Sequence, residues 1–405
     1  VDDVDHLLRN DGGGWTSIES AAINNPLPTY GAAWGDYDND GDADLYVCND
    51  GPNRLLRNYG NNSFGGATSA PLNDAANSRG CAWGDFDNDG DLDLAIANHD
   101  APNRLFRNDG VLGFVDVSPP AFAVTSPSNG VAWGDYDLDG DLDLFVTRDN
   151  LPNLLLRNER GFWSVSQRQG LLASAGVARG SAWADYDLDG DLDLFVANAD
   201  QRSLLVRNER WPGANWFELH LAGVQANRSA IGARVRLKAG GTWQLREITA
   251  GSNFLSMSDL LVHFGLGAAS VIDSLVVRWP RGGTQVLTGV AANQRLELEQ
   301  EIGASVSSPS TAERGVWLNV AWPNPARAES SIAFSTPGSS RASVRVYAAD
   351  GRLVRTLLDE VVAAGAHRLA WDGRDGAGHP VPSGSYFVRL EQGDRSTSRK
   401  VIRLE

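Results

Sequence analysis

Cysteine is scarce in this 405-residue chain: Cys48 and Cys81 are the only two. A disulfide scaffold is thereby excluded. The two thiols read either as small buried strand residues or as one disulfide between neighbouring repeats. No apolar run approaches the roughly 20 residues that a membrane span needs. No helical periodicity persists long enough to define a helical domain. Basic charge is also sparse where it would matter: residues 1–210 hold 14 Arg and no Lys against 34 acids. The whole chain has a net charge of −16, and no basic stripe suggests nucleic acid. The chain opens at Val1-Asp2-Asp3 without Met or signal peptide, which suggests a processed or truncated product, so missing targeting information counts for little.

Catalytic signatures are missing too. The histidines (His6, His99, His220, His263, His367 and His379) are scattered and form no His-Glu-x-x-His pair. There is no Gly-x-Ser-x-Gly elbow and no phosphate-cradling loop. His263 is the most noticeable candidate, but it reads as part of a strand ending at Gly265. No enzyme is expected from these residues.

Aspartate is abundant, and it is ordered. Asp135-Tyr136-Asp137-Leu138-Asp139-Gly140-Asp141-Leu142-Asp143 places five carboxylates on alternate positions. Equivalent loops hold Asp36, Asp38, Asp40, Asp42 and Asp44; Asp85, Asp87, Asp89, Asp91 and Asp93; and Asp185, Asp187, Asp189, Asp191 and Asp193. Bare carboxylates at this density repel one another strongly. Calcium, which takes six to eight oxygens at about 2.3–2.6 Å, relieves the repulsion. Positions 1, 3 and 5 supply side-chain oxygens, the glycine at 6 permits a sharp turn, position 7 offers its backbone carbonyl and position 9 closes the shell. About four Ca2+ are expected, one per loop. An EF-hand is excluded, because position 12 is Val47, Ile96, Val146 or Val196 rather than Glu, and the flanks read as strands.

The loops recur at spacings of 49, 50 and 50 residues, and each is succeeded by a strand ending in Arg-Asn (Asn58, Asn108, Asn158, Asn208). Four short strands per repeat suggest a β-propeller blade. Asp5-His6-Leu7-Leu8-Arg9-Asn10 matches that strand without a loop before it, as part of an earlier blade would. Trp-Gly-Asp-Tyr-Asp-x-Asp-Gly-Asp-x-Asp-Leu at this period resembles the FG-GAP/VCBS repeat of integrin-like propellers. The resemblance implies calcium held by side chains at positions 1, 3, 5 and 9. Family rings usually have seven blades, whereas this chain shows four and a fraction. Trp34, Trp83, Trp133 and Trp183 read as a packing layer between blades, with sugar stacking as the functional alternative.

Residues 211–302 carry short alternating segments that suggest antiparallel strands with one wet face. Asn227-Arg228-Ser229-Ala230-Ile231-Gly232-Ala233, His263-Phe264-Gly265-Leu266-Gly267 and Val277-Arg278-Trp279-Pro280-Arg281-Gly282-Gly283 resemble the ASPIC/UnbV domain, as found in cartilage acidic protein. Residues 303–315 form a Ser-rich linker. Residues 316–405 resemble an FlgD-type Ig-like domain through Pro323-Asn324-Pro325, Trp371-Asp372-Gly373-Arg374-Asp375 and Ser383-Gly384-Ser385-Tyr386-Phe387. Such domains overlap in pattern with the type IX sorting signal, so the resemblance implies export or attachment to the outer membrane, unless the domain is an ordinary spacer.

The expected fold is all-β: a partial β-propeller in residues 1–210, an antiparallel β-domain and an Ig-like β-sandwich. The expected role is calcium-dependent, non-catalytic recognition of a protein or glycan outside the cell or at its surface. The alternatives are an accessory region of a secreted carbohydrate-active enzyme and a self-associating matrix protein.

Overall fold

A computed structural model describes residues 5–404 apart from 12, 19, 21, 25–26, 61–62, 167–175, 210–212, 252, 281, 302–316, 319–329, 337–338, 364 and 394. The chain's opening Val1-Asp2-Asp3, the expected linker at 303–315 and the Pro323-Asn324-Pro325 stretch lie outside the described residues. By internal contact the chain separates into two units, Val1–Gln294 with Leu298–Ala304, and Arg295–Glu297 with Ser305–Glu405.

The repeats form four antiparallel sheets, here called blades. Blade 1 comprises Thr29–Gly35, Asp44–Asn49, Arg54–Asn58 and Phe64–Gly66. Blade 2 comprises Ser78–Gly84, Asp93–Asn98, Arg104–Asn108 and Phe114–Asp116, and blade 3 comprises Ser128–Gly134, Asp143–Arg148, Leu154–Glu159 and Phe162–Val165. Blade 4 has three strands among the described residues, Ala178–Ala184, Asp193–Asn198 and Leu204–Val206, one fewer than expected. Leu8–Asn10 pairs with Trp15–Ser17 as a hairpin ahead of blade 1, where the sequence suggested part of an earlier blade.

Successive side chains of a strand point to opposite faces, and an inner blade has a neighbour on both faces, so the middle of its second strand is apolar on both: Leu94 to Ala97 in blade 2 and Leu144 to Val146 in blade 3. Leu144 and Val146 pack towards blade 2, against Ala82, Phe86 and Leu105. Phe145, with Tyr136 and Leu155, packs towards blade 4, against Ala178, Trp183 and Leu194. The tryptophans belong to these layers. Trp83 donates from Nε1 to the Ala33 carbonyl at 3.2 Å, Trp133 to that of Ala82 at 3.1 Å, and Trp183 to that of Ala132 at 3.5 Å. Each of these indoles ties a first strand to the blade before it, as the packing-layer reading expects. Cys48 and Cys81 are free thiols buried in the layer between blades 1 and 2.

First strands of adjacent blades approach closely at a repeated bulge. A Cβ on Gly31 would lie 2.3 Å from the Arg79 carbonyl oxygen, and one on Gly80 2.7 Å from that of Asn129. Only glycine permits this approach.

After blade 4, Asn215–Ala222 pairs with Val262–Gly267, and a second sheet runs Thr242–Glu247, Arg234–Ala239, Val271–Arg278, Thr284–Leu287. The strand bearing His263 therefore continues past Gly265 to Gly267.

The second unit is a two-sheet sandwich. Trp317–Leu318, Ser330–Thr336 and Gly365–Trp371 form one sheet; Leu353–Val362, Ser340–Ala348, Gly384–Gln392 and Arg395–Arg403 form the other. Its core includes Ile332, Phe334, Val344, Trp371 and Leu390.

Candidate metal centres

Each aspartate loop bridges the first and second strands of its blade. Position 9 opens the second strand, opposite the last residue of the first: Gly35 with Asp44, Gly84 with Asp93, Gly134 with Asp143 and Ala184 with Asp193. The loop glycine adopts φ of 101°, 99°, 99° and 98° in Gly41, Gly90, Gly140 and Gly190, a region that side-chain-bearing residues avoid. This turn lets the glycine N–H donate back to Oδ2 of position 1, at 3.1 Å in Asp36 and 3.0 Å in Asp135.

Backbone N–H groups clamp position 9. Oδ1 of Asp44, Asp93, Asp143 and Asp193 accepts from the N–H of Asn58, Asn108, Asn158 and Asn208 at 2.7, 2.8, 2.9 and 2.7 Å. The other carboxylate oxygen accepts from the N–H at position 2. The Arg-Asn signature thereby acquires a physical role. The main-chain N–H of its asparagine fixes the carboxylate at position 9, and its amide also donates to the preceding blade's loop, from Asn158 to the Phe86 carbonyl at 2.7 Å. Its arginine faces positions 3 and 5. Arg57 lies 2.8 Å from Asp38, Arg207 lies 2.7 Å from Asp187, and Arg157 pairs with Asp137. In blade 2, Arg107 turns instead to Asp109 at 2.6 Å.

In blades 2, 3 and 4 the carboxylates of positions 1, 3 and 9 converge, with one oxygen from each within 4.8 Å of the others: Asp85, Asp87 and Asp93; Asp135, Asp137 and Asp143; Asp185, Asp187 and Asp193. In blade 1 the converging set is Asp36, Asp38 and Asp40. At position 5, Asp40, Asp89, Asp139 and Asp189 accept the N–H of position 7 in their own loops. At position 7, Asp91 and Asp141 turn towards the preceding loop and accept from the Asn39 and Asn88 amides. For these two residues the backbone carbonyl, rather than the side chain, is the group left to face a metal.

The donor set is all oxygen, as a hard dication requires. Oδ1 of Asp36, Asp135, Asp137 and Asp187 is buried without a hydrogen-bond donor, a costly state for a carboxylate. Burial, with neighbouring carboxylates adding to it, pushes Asp139 up to about 7 and Asp191 up to about 8. Burial likewise raises Asp44 to about 8 and holds Asp135 and Asp143 well above the carboxylate range. Such a cluster becomes fully charged at neutral pH only beside a cation. These residues fit calcium.

The region after blade 4 also reaches the loops, which the sequence did not disclose. Arg234 Nη1 donates to Asp36 Oδ2 at 2.8 Å, and the Asp36 N–H points to Glu247 Oε2 at 3.4 Å. Gly265 N–H donates to Asp135 Oδ2 at 2.9 Å, and Gly267 N–H to the Leu138 carbonyl at 2.8 Å. His263 Nε2 donates to the Gly190 carbonyl at 3.0 Å, which ties this strand to loop 4. Loops 1, 3 and 4 thus each share a hydrogen bond with this second region.

This is the geometry of an all-β repeat protein with acidic loops at one end of each blade. Sequence comparison identifies its modules. FG-GAP-like repeats match at 36–96, 85–146 and 135–196, the ASPIC and UnbV family at 223–305, and the FlgD Ig-like domain at 324–396. A comparison with curated proteins gives no match. Among solved structures, similarity extends to an Agrocybe aegerita lectin described as recognising non-reducing terminal N-acetylglucosamine. Identity is 18% over 71% of this chain and 89% of that one, with a TM-score of 0.36. PorZ, a surface component of the Porphyromonas gingivalis type IX secretion system, is 13% identical over 99% of this chain and 56% of its own, with a TM-score of 0.31. The V. cholerae biofilm matrix protein Bap1 is 12% identical over 99% and 70%, also with a TM-score of 0.31.

Proposed function

We propose that this chain is an exported, calcium-rigidified recognition protein that binds a protein or glycan ligand at a cell surface without chemical turnover. The observation that carries the calcium reading is the recurrence of one oxygen-only site in four blades of FG-GAP-like repeats, with buried carboxylate oxygens lacking donors in blades 1, 3 and 4. Calcium at positions 1, 3, 5 and 9, with the carbonyl of position 7, would clamp the two strands of each loop. The surface loops of the blades would then meet a ligand already ordered, which lowers the entropy cost of binding. The FlgD Ig-like module would serve export or attachment.

Calorimetric titration of metal-stripped protein tests the metal reading: about four Ca2+ per chain with a rising melting temperature is expected, and no binding would overturn it. A glycan array and a surface-protein panel, each in calcium and in EGTA, test recognition. Turnover of any glycan in the array would move the assignment to an enzyme.

A further inference from the structure

We propose that Arg234 is a resident counter-ion of the first metal loop and makes that loop the weakest of the four calcium sites. The inference rests on the reading of the loops as calcium sites. Arg234 lies on the strand Arg234–Ala239, outside the repeats, and is about nine-tenths buried. Its Nη1 donates to Asp36 Oδ2 at 2.8 Å and to the Asp36 carbonyl at 3.3 Å. Glu247 Oε2, 3.7 Å from Nε, holds the other side of the guanidinium. Asp36 Oδ2 also accepts the Gly41 N–H at 3.1 Å, so Oδ1 is the oxygen left for a metal.

In loops 2 and 3 the hydrogen bonds to position 1 come from neutral donors. Asp135 Oδ2 accepts backbone N–H groups of Gly140 and Gly265, and Asp85 and Asp185 accept those of Gly90 and Gly190. The buried Arg246 favours the charged forms of Asp85 and Asp135, but through space: its Nη1 and Nη2 donate to the Leu245 carbonyl and Gln244 Oε1. A second cation approaches loop 1 through Arg278 Nη2, 3.4 Å from the Asp40 carbonyl. Independently, loop 1 is the one whose converging carboxylates are positions 1, 3 and 5 rather than 1, 3 and 9.

A buried cation beside a ligand oxygen repels an incoming dication with little screening, while it neutralises the carboxylates when the metal is away. Loop 1 should therefore bind calcium roughly tenfold more weakly than its counterparts, and should hold its shape best without it. The Glu247 carboxylate works in the opposite direction, so its removal alone should weaken loop 1 further.

The test is calcium titration of the metal-stripped full chain by calorimetry with chelator competition, alongside melting in EGTA. Three tight sites and one weak site are expected in the parent protein. Asp36→Asn should abolish the weak site and leave three tight ones. Glu247→Gln should weaken it, and Arg234→Met/Glu247→Gln, which removes the pair without stranding a charge, should bring it into the tight class while lowering the melt in EGTA. Four equal sites in the parent protein, or loss of a tight site in Asp36→Asn, would overturn the assignment of Arg234 and leave the calcium reading standing. No calcium binding at all would overturn both. If the double variant does not fold, Asp36→Asn still places the weak site in loop 1, and a weak site left unchanged by Glu247→Gln would overturn the part given to the Arg234 charge.

Discussion

Blades 3 and 4 carry the same twelve residues, 135–146 and 185–196, in different surroundings. Tyr136 is 4% exposed and Tyr186 48%; Phe145 is 0% exposed and Phe195 44%; Leu155 of the next strand is 4% exposed and its counterpart Leu205 57%. The difference comes from the neighbour: blade 4 covers blade 3, whereas these side chains of blade 4 face solvent. The metal loops inherit the contrast. Asp135, Asp137 and Asp143 are all buried, whereas Asp187 of the fourth set is half-buried. Burial holds Asp143 well above the carboxylate range and raises Asp193 only to about 6. Identical aspartate loops thus differ in burial and in carboxylate pKa because the surroundings of each are built partly from its neighbour.

The largest expected effect is calcium removal. A site held at a hundredfold excess over its Kd contributes about 2.7 kcal/mol. EGTA should therefore lower the melting temperature steeply, and hydrogen exchange should show greater loss of protection in Asp143–Arg148 than in Asp193–Asn198. Equal losses would mean that burial does not grade the sites.

Next comes truncation of the same side chain in the two blades. Phe145→Ala should cost roughly 3–5 kcal/mol, the usual range for a buried aromatic. Phe195→Ala should cost under about 1 kcal/mol, because much of its surface is already wet. Urea unfolding in saturating calcium measures both, and similar costs would show that the blade 4 face is covered in solution.

Smaller again is the asparagine of the Arg-Asn signature. The Asn158 amide donates to two buried carbonyls, those of Phe86 and Leu142 at 2.7 and 3.1 Å. Asn158→Ala strands both acceptors and should cost about 1–3 kcal/mol. Calcium affinity at Asp143 should survive, because the main-chain N–H that clamps it remains. Loss of one calcium equivalent in this variant would assign the amide a direct part in the site.

Repeats, loops and the tryptophan layer were legible in the sequence because each recurs in phase and its spacing fixes its geometry. The all-β class came from the same pattern. The job of the Arg-Asn signature was visible only as recurrence, since a main-chain N–H that holds Asp143 leaves no mark on residue identity. The inequality of blades 3 and 4 could not be read, because the twelve residues are identical and the difference is a neighbour. Arg234 was hidden for another reason. It is one polar residue in an alternating strand, and it meets Asp36 across 198 residues of chain. Nothing local separates it from Arg236, which lies over Trp243.

The pH response sharpens the comparison of the blades with a change of sign. In the metal-free protein Asp193 has a folded-state pKa raised to about 6 from an ordinary value near 4, through burial. A raised folded pKa means that the folded state binds its proton more tightly than the unfolded chain does. The contribution of Asp193 is therefore fully present below pH ~4 and is lost as pH rises through about 6. Asp143, raised further by burial, loses its contribution at higher pH. Metal-free protein should thus unfold at progressively lower urea from pH 5 to pH 8, with blade 4 responding before blade 3 in hydrogen exchange. With calcium the slope should reverse, because the metal competes with those protons and binds the ionised loops. A metal-free protein whose urea midpoint rises over this range would show that the carboxylates are already ionised and compensated without calcium, with Arg157 and Arg207 beside them as the groups that would do so.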